Sequence, residues 1–173
     1  MPASDSPALP VAYVALRILI ILNWVMGLAI LVLLTVMPNR EWIMSAFELS
    51  PSPDTERLIL GLRTIATIGL ATIPLNYVVL KRLLSVVESV REGDAFIVAN
   101  ARRLQAIAWA LLALQILSLV IAAIAKSVST PDHPVELDAG FSVTGWLAIL
   151  LIFVLARAFG EDARMREELE GTV

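Results

Sequence analysis

Arg63 stands about five residues inside a long apolar stretch, Leu58–Leu80. A guanidinium at mid-membrane costs roughly 2.5–3.5 kcal/mol on insertion scales, so it marks either a polar site or a side chain that reaches back to the surface. Here both readings stand. Arg63 can line a ligand or ion site, or it can anchor the outer surface by pairing with Asp54 or Glu56. Arg17 poses the same question at the other face, where snorkelling answers it. Asn23, Asn76 and Gln115 are amides within or near apolar stretches, and such amides commonly bond one helix to the next. His133 sits beside Asp132 and could sense pH, although a lone loop histidine is more often simply solvated. The chain has no cysteine and only that one histidine. This excludes disulfides, thiolate or histidine-rich metal sites and a cysteine nucleophile. Neither a Ser/His/Asp set, a phosphate-cradling glycine loop nor EF-hand spacing is present. Glu161, Asp162, Glu167, Glu168 and Glu170 read as a solvated face. No catalytic, cofactor or metal residue is assigned, and the chain reads as a non-enzyme without a cofactor.

The elements that must position these residues are four apolar runs, about Val11–Met37, Leu58–Leu80, Leu104–Ala125 and Phe141–Phe159. Each is near the roughly 20 residues that cross a ~30 Å hydrocarbon layer. The 173 residues are 58% hydrophobic, above the roughly 45–50% of soluble domains. Their mean hydropathy is +0.83. The expected fold is all-α: an integral membrane four-helix bundle forming a single domain over residues 1–173. Its first span is read as retained rather than cleaved, because it exceeds a signal h-region. Span 2 continues past Tyr77 with an apolar stripe at Leu80, Leu83, Leu84, Val87 and Val90, and Gly93 reads as its C′ residue. A new helix is expected near Val98–Asn100. The span 2–3 hairpin is thereby lengthened beyond the membrane, and span 4 continues into a charged helix. In that helix Arg164/Glu168 and Arg166/Glu170 stand four apart and can pair. Its small apolar edge, Met165 and Leu169, either packs on a neighbouring helix of the chain or faces a partner. Pro74 is a kink point in span 2. Ala66, Gly69, Thr72, Ile73 and Asn76 form a face that a helix of this chain or of a second copy, as in a homo-oligomer, can approach closely. Residues Arg40–Leu49 suggest a short interfacial helix before Pro51 and Pro53.

Charge orients the spans. Five of the thirteen basic residues, Lys81, Arg82, Arg91, Arg102 and Arg103, crowd into the loop between spans 2 and 3. Arg157, Arg164 and Arg166 follow span 4, whereas the other loops are poor in Lys and Arg. Basic loops stay in the cytoplasm, so that loop and both termini are expected inside. The loop can also meet anionic headgroups. Tyr77, Trp109, Phe141, Trp146 and Phe159 are expected near span ends, as headgroup-level aromatics. A net charge of −3 gives no reason to expect direct nucleic-acid binding.

The run REGDAFIVANARRLQAIAW (Arg91–Trp109) and the tail FGEDARMREELEGTV (Phe159–Val173) resemble a bacterial membrane family catalogued as domain of unknown function 2975. Its members resemble a G-x-P-F-T-x-x-N-x-x-R-L turn leading into a membrane helix, and they share a tail of R-E-x-x-E-x-T-V/I style. Gly93, Phe96, Asn100, Arg103 and Leu104 match the turn. Ala95 and Ile97 depart from it. Ile97 replaces a threonine cap and cannot accept from the free N–H groups, a role Asn100 or Asp94 would have to take. The resemblance implies a bacterial cytoplasmic (inner) membrane protein without established activity. It also implies a gene placed beside that of a small helix-turn-helix repressor.

Two functions follow as expectations. The first is a regulatory or scaffolding membrane partner of that small cytoplasmic DNA-binding regulator. It would act through Arg91, Phe96, Asn100 and Arg103 of the inner turn and Arg164, Arg166 and Glu168 of the tail. The alternative is a transporter or channel subunit acting as an oligomer, with Arg63 lining a polar site together with Asn23, Asn76 and Gln115.

Overall fold

The computed structural model describes residues 8–36, 53–93, 97–129, 135 and 137–170. Four helices follow in chain order: α1 (Ala8–Val36), α2 (Pro53–Arg91), α3 (Val98–Val128) and α4 (Val143–Glu170). All four are long and apolar enough to cross a membrane. Strands are absent among the described residues. The segment expected to form an interfacial helix at Arg40–Leu49 lies outside them, as do His133, Asp132, Asp94 and Phe96.

Burial is inverted relative to a water-soluble bundle. Among the described residues, five of the ten buried apolar ones are alanines, led by Ala108 at 0% exposure. The large side chains point outwards, with Val11, Leu60 and Val154 each 65% exposed. So much contiguous apolar surface has no place in water, whereas small residues between helices and large ones outside suit a lipid solvent. The chain is a multi-pass membrane protein.

Packing runs strictly in chain order: α1 on α2, α2 on α3 and α3 on α4, with no other helix pair in contact among the described residues. On α1 the covered positions from Leu16 onwards are Leu16, Ile20, Asn23, Gly27, Ile30 and Leu34. That alternation of four and three is the 3.5-residue seam of left-handed helix packing. On α4 the covered positions Gly145, Ile149, Ile152, Ala156, Phe159 and Ala163 repeat it.

Close approach is bought with glycine. A Cβ on Gly61 would stand 2.5 Å from Cγ1 of Val128, and one on Gly27 would stand 3.0 Å from Cγ2 of Ile73. Gly69, on the small-residue face read from the sequence, instead meets nothing within 4 Å. The contacts set an antiparallel register for α2 and α3. Ser89 faces Asn100 and Ser85 faces Arg103. Twenty-eight residues along each helix from the first pair, Gly61 faces Val128. The register is therefore kept across Pro74, which lies inside the continuous α2.

This register measures the apolar layer. It puts Arg63 level with Lys126 at one edge and Lys81 and Arg82 at the other. The 18 residues from Arg63 to Lys81 rise about 27 Å, close to a hydrocarbon thickness. Tyr77 lies one turn inside the second edge, its ring 5.6 Å from that of Trp24 and 5.6 Å from Nζ of Lys81. Tyr77 and Trp24 thus form part of an aromatic belt.

Hydroxyls within the layer are satisfied on their own helix: Thr64 donates to Leu60 O at 2.9 Å, Thr67 to Arg63 O at 2.8 Å and Thr72 to Gly69 O at 2.6 Å. Gly61→Leu should lower stability by about 1–3 kcal/mol through overpacking, read as a lower midpoint of thermal unfolding in detergent. Adding Val128→Ala should restore part of the loss. An unchanged midpoint for Gly61→Leu would contradict the close approach.

Candidate functional site

Beyond Lys81, α2 runs on for ten residues to Arg91 and turns back into α3. The turn is made by Gly93, whose φ of 94° lies in the left-handed region that glycine enters at little cost. Its N–H bonds Val90 O at 3.2 Å, and that of Glu92 bonds Glu88 O at 3.1 Å. α3 then starts behind Ile97, which makes no side-chain cap. Asn100, three residues on, bonds Ser89 and Arg103.

Asn100 is completely buried. Its Nδ2 donates to Ser89 Oγ at 2.7 Å. The Ser89 proton lies within reach of Val86 O at 2.9 Å and Asn100 Oδ1 at 3.0 Å. Arg103 completes the brace, its Nη1 donating to Asn100 Oδ1 and to Ser85 O, each at 2.8 Å. A polar node thus ties the end of α2 to the start of α3 just outside the apolar layer. Hydrogen bonds from a charged donor contribute about 1.5–3 kcal/mol each, and an orphaned buried partner costs about 1–3 kcal/mol.

The other two helices join this end. Tyr13 of α1 lies under two guanidiniums, 4.7 Å from Arg17 and 5.3 Å from Arg91. The Arg17 guanidinium thus gathers with that of Arg91 over Tyr13 at this end. α4 closes the opposite flank, where Gly160 faces Ala101 and Ala163 is 3% exposed. The tail packs on α3 through these small residues. Met165, read from the sequence as its apolar edge, is 55% exposed instead. The described ion pair there is Arg157 Nε to Glu161 Oε1 at 3.0 Å. The Arg164/Glu168 and Arg166/Glu170 pairs fall on side chains outside the described set.

Of the residues expected to meet a partner, Arg91 is exposed over Tyr13 and Arg164 is exposed on α4. Asn100 and Arg103 are committed internally and shape the turn rather than its surface. Ser85 and Ser89, which complete the brace, went unnoticed in the sequence. Their spacing, four apart on the inner side of the α2 stripe, was the available signal.

These braced residues include Gly93, Asn100 and Arg103, on which the family resemblance rested, and the family profile matches residues 42–173. The chain belongs to the family described as protein of unknown function DUF2975. The match covers α2, α3 and α4 of this DUF2975 chain in full and leaves α1 outside it. Comparison with curated proteins and with solved structures found no match.

A second polar cluster lies inside the layer. Ala101 faces Gly160, Trp109 packs edge-on to Phe153 at 5.5 Å, and Gln115 lies beside Gly145. In this register α3 continues roughly 16 Å beyond the level at which α4 begins. The chain before α4 dips along α3 to meet it. Val135 N–H bonds Ser129 Oγ at 3.0 Å near the end of α3. Gly140 lies far deeper, its N–H donating to Ser118 Oγ at 3.0 Å and its carbonyl accepting from Gln115 Nε2 at 3.0 Å. Non-helical backbone survives at membrane depth only where protein satisfies it, and Gln115 and Ser118 do so. Ser142 then caps α4, accepting from Gly145 N–H at 3.1 Å. Trp146, expected at the headgroups, lies level with Gln115 well inside the layer. Its buried Nε1 has no hydrogen-bond partner.

Asn23 bonds across helices, Nδ2 to Ile73 O at 3.1 Å. Asn76 is half-buried. Arg63 is exposed at the layer's edge rather than turned towards a neighbouring helix. Among the described residues no group of three His, Cys, Asp or Glu could hold a metal.

Asn100→Ala should cost about 1–3 kcal/mol of stability, and Ser89→Ala should add little in that background. A double-mutant cycle read by unfolding in mixed detergent checks both. Gln115→Leu should release the Gly140 segment. In this cysteine-free chain, a single cysteine placed at Ala139 should then react several-fold faster with a maleimide.

Proposed function

We propose that this chain is a scaffold in the bacterial cytoplasmic membrane, with its elbow and both termini in the cytoplasm, that docks a small helix-turn-helix regulator. The observation that carries the reading is the brace. Asn100, Arg103, Ser85 and Ser89 stiffen a turn that α2 and α3 project about 15 Å past the layer's edge. A preorganised surface loses little entropy when a partner binds. α1 begins and α4 ends at the same end of the molecule, so the platform is four helices wide rather than two.

Charge supports the orientation. Arg17, Lys81, Arg82, Arg91, Arg102, Arg103, Arg157 and Arg164 gather at the elbow end, against Arg57, Arg63 and Lys126 at the other. Such an imbalance favours the elbow inside. The partner class comes from the family resemblance. Its contact surface would be the exposed Arg91 and Glu92 together with the charged end of α4. A transport role draws no support from Arg63, which stands at the edge of the layer and not in its middle.

Two measurements test the proposal. In intact cells, a membrane-impermeant maleimide should label a single cysteine at Arg57 and spare one at Glu92. The reverse pattern would overturn the orientation. A regulator encoded beside the chain should co-purify with it from detergent-solubilised membranes. That recovery should fall at least tenfold on removing residues 166–173 together with Arg91→Glu. Truncation at Gly160 would be a poorer test, because Gly160 and Ala163 pack on α3. Undiminished recovery from the altered chain would sink the docking surface.

A further inference from the structure

A groove of about 840 Å³ runs between α3 and α4 at the elbow end. Phe153 and Ala156 are among its apolar lining residues, and Arg102, Arg157, Arg164 and Glu161 among its polar ones. We propose that it binds one anionic phospholipid, with the phosphate among the three arginines and the acyl chains descending past Phe153 and Trp109.

Depth, charge and shape each support this occupant. Phe153 packs on Trp109 at 5.5 Å, and the register places both within a turn of Lys81, at the edge of the apolar layer. Trp109 is 58% exposed and so continues the apolar wall out to the lipid. Arg157 follows Phe153 by four residues, about 6 Å further out. The headgroup layer on each side of a bilayer is itself roughly 5–7 Å deep. The first guanidinium therefore lies at phosphate depth, while the apolar floor lies at the depth of the first methylenes. Three guanidiniums against the one carboxylate of Glu161 leave an excess of two positive charges. Glu161 accepts from Arg157 Nε at 3.0 Å and holds that side chain at the groove. Guanidinium groups suit phosphate because their donors match its oxygens in pairs. A free phosphate would use the arginines alone and leave the Phe153 end unfilled. A phospholipid uses both ends.

The test uses the full-length chain in detergent, titrated with phosphatidylglycerol or phosphatidylcholine and read by native mass spectrometry. One phosphatidylglycerol per chain should be retained at least tenfold more tightly than phosphatidylcholine. Each basic residue near a membrane surface contributes roughly fivefold in affinity. Arg102→Gln and Arg164→Gln should therefore each weaken retention about fivefold, and the pair about 30-fold. Lys81→Gln with Arg82→Gln removes the same charge outside the groove, nearer the apolar layer, and should change retention less than twofold. Equal loss in both pairs would reveal diffuse surface attraction and overturn the site, as would the absence of headgroup preference. Displacement of the lipid by millimolar inorganic phosphate would overturn the lipid assignment. Should the double variant lose its helical circular dichroism, the single variants decide, and unchanged retention in both overturns the proposal.

Discussion

Inside hydrocarbon a backbone N–H or carbonyl has no water to bond, and this constraint organises the whole molecule. It demands helices through the layer, and all four apolar runs comply. It also rules how the helices meet. The lipid is as apolar as leucine, so burying large side chains between helices gains little, and contact depends on close fit and on polar bonds. The α1–α2 and α2–α3 interfaces accordingly combine a small-residue contact with an amide or guanidinium bond, and beside α4 the Gln115 amide bonds the segment that feeds it. α1 meets α2 at Gly27 and Asn23, and α2 meets α3 at Gly61 and through Asn100 with Arg103. α3 meets α4 through Gln115 beside Gly145.

The same constraint explains the break before α4. That helix begins at a level where α3 still has about three turns to run. The chain feeding it passes alongside α3 in non-helical form, and its exposed groups at Gly140 take partners from Gln115 and Ser118. An amide that looks like generic interhelical glue in the sequence proves to be a substitute for water. Gly140, with φ of 127°, is also where a side chain would crowd Ala122.

At the elbow end the requirements change within a few residues. The helices leave the layer, aromatic rings give way to guanidiniums, and polar side chains can be buried at a profit because they find one another. Asn100 and Arg103 knit the turn together, and Arg91 leans on Tyr13. This end therefore has a defined shape as well as a charge. The arginines on its α4 flank open onto an apolar wall formed by Phe153 and Trp109.

Much of this was legible in the chain itself. Hydropathy and run length determine the number of membrane helices. The stripe from Leu80 to Val90 determines that α2 outruns the layer, and Gly93 determines where it turns, because only glycine takes that backbone conformation cheaply. Those properties are local: they depend on residues within a few turns of one another. Depth and partnership are not local. That Arg63 stands level with Lys126, that Trp146 sits beside Gln115 rather than at the headgroups, and that Asn100 is buried against Ser89 all follow from helix register. Register depends on which glycine admits which neighbour, as Gly61 admits Val128 while Gly69 admits nothing. The chain-ordered packing was likewise decided by tertiary contact, since four apolar helices can close into a ring or stand in a row with the same hydropathy.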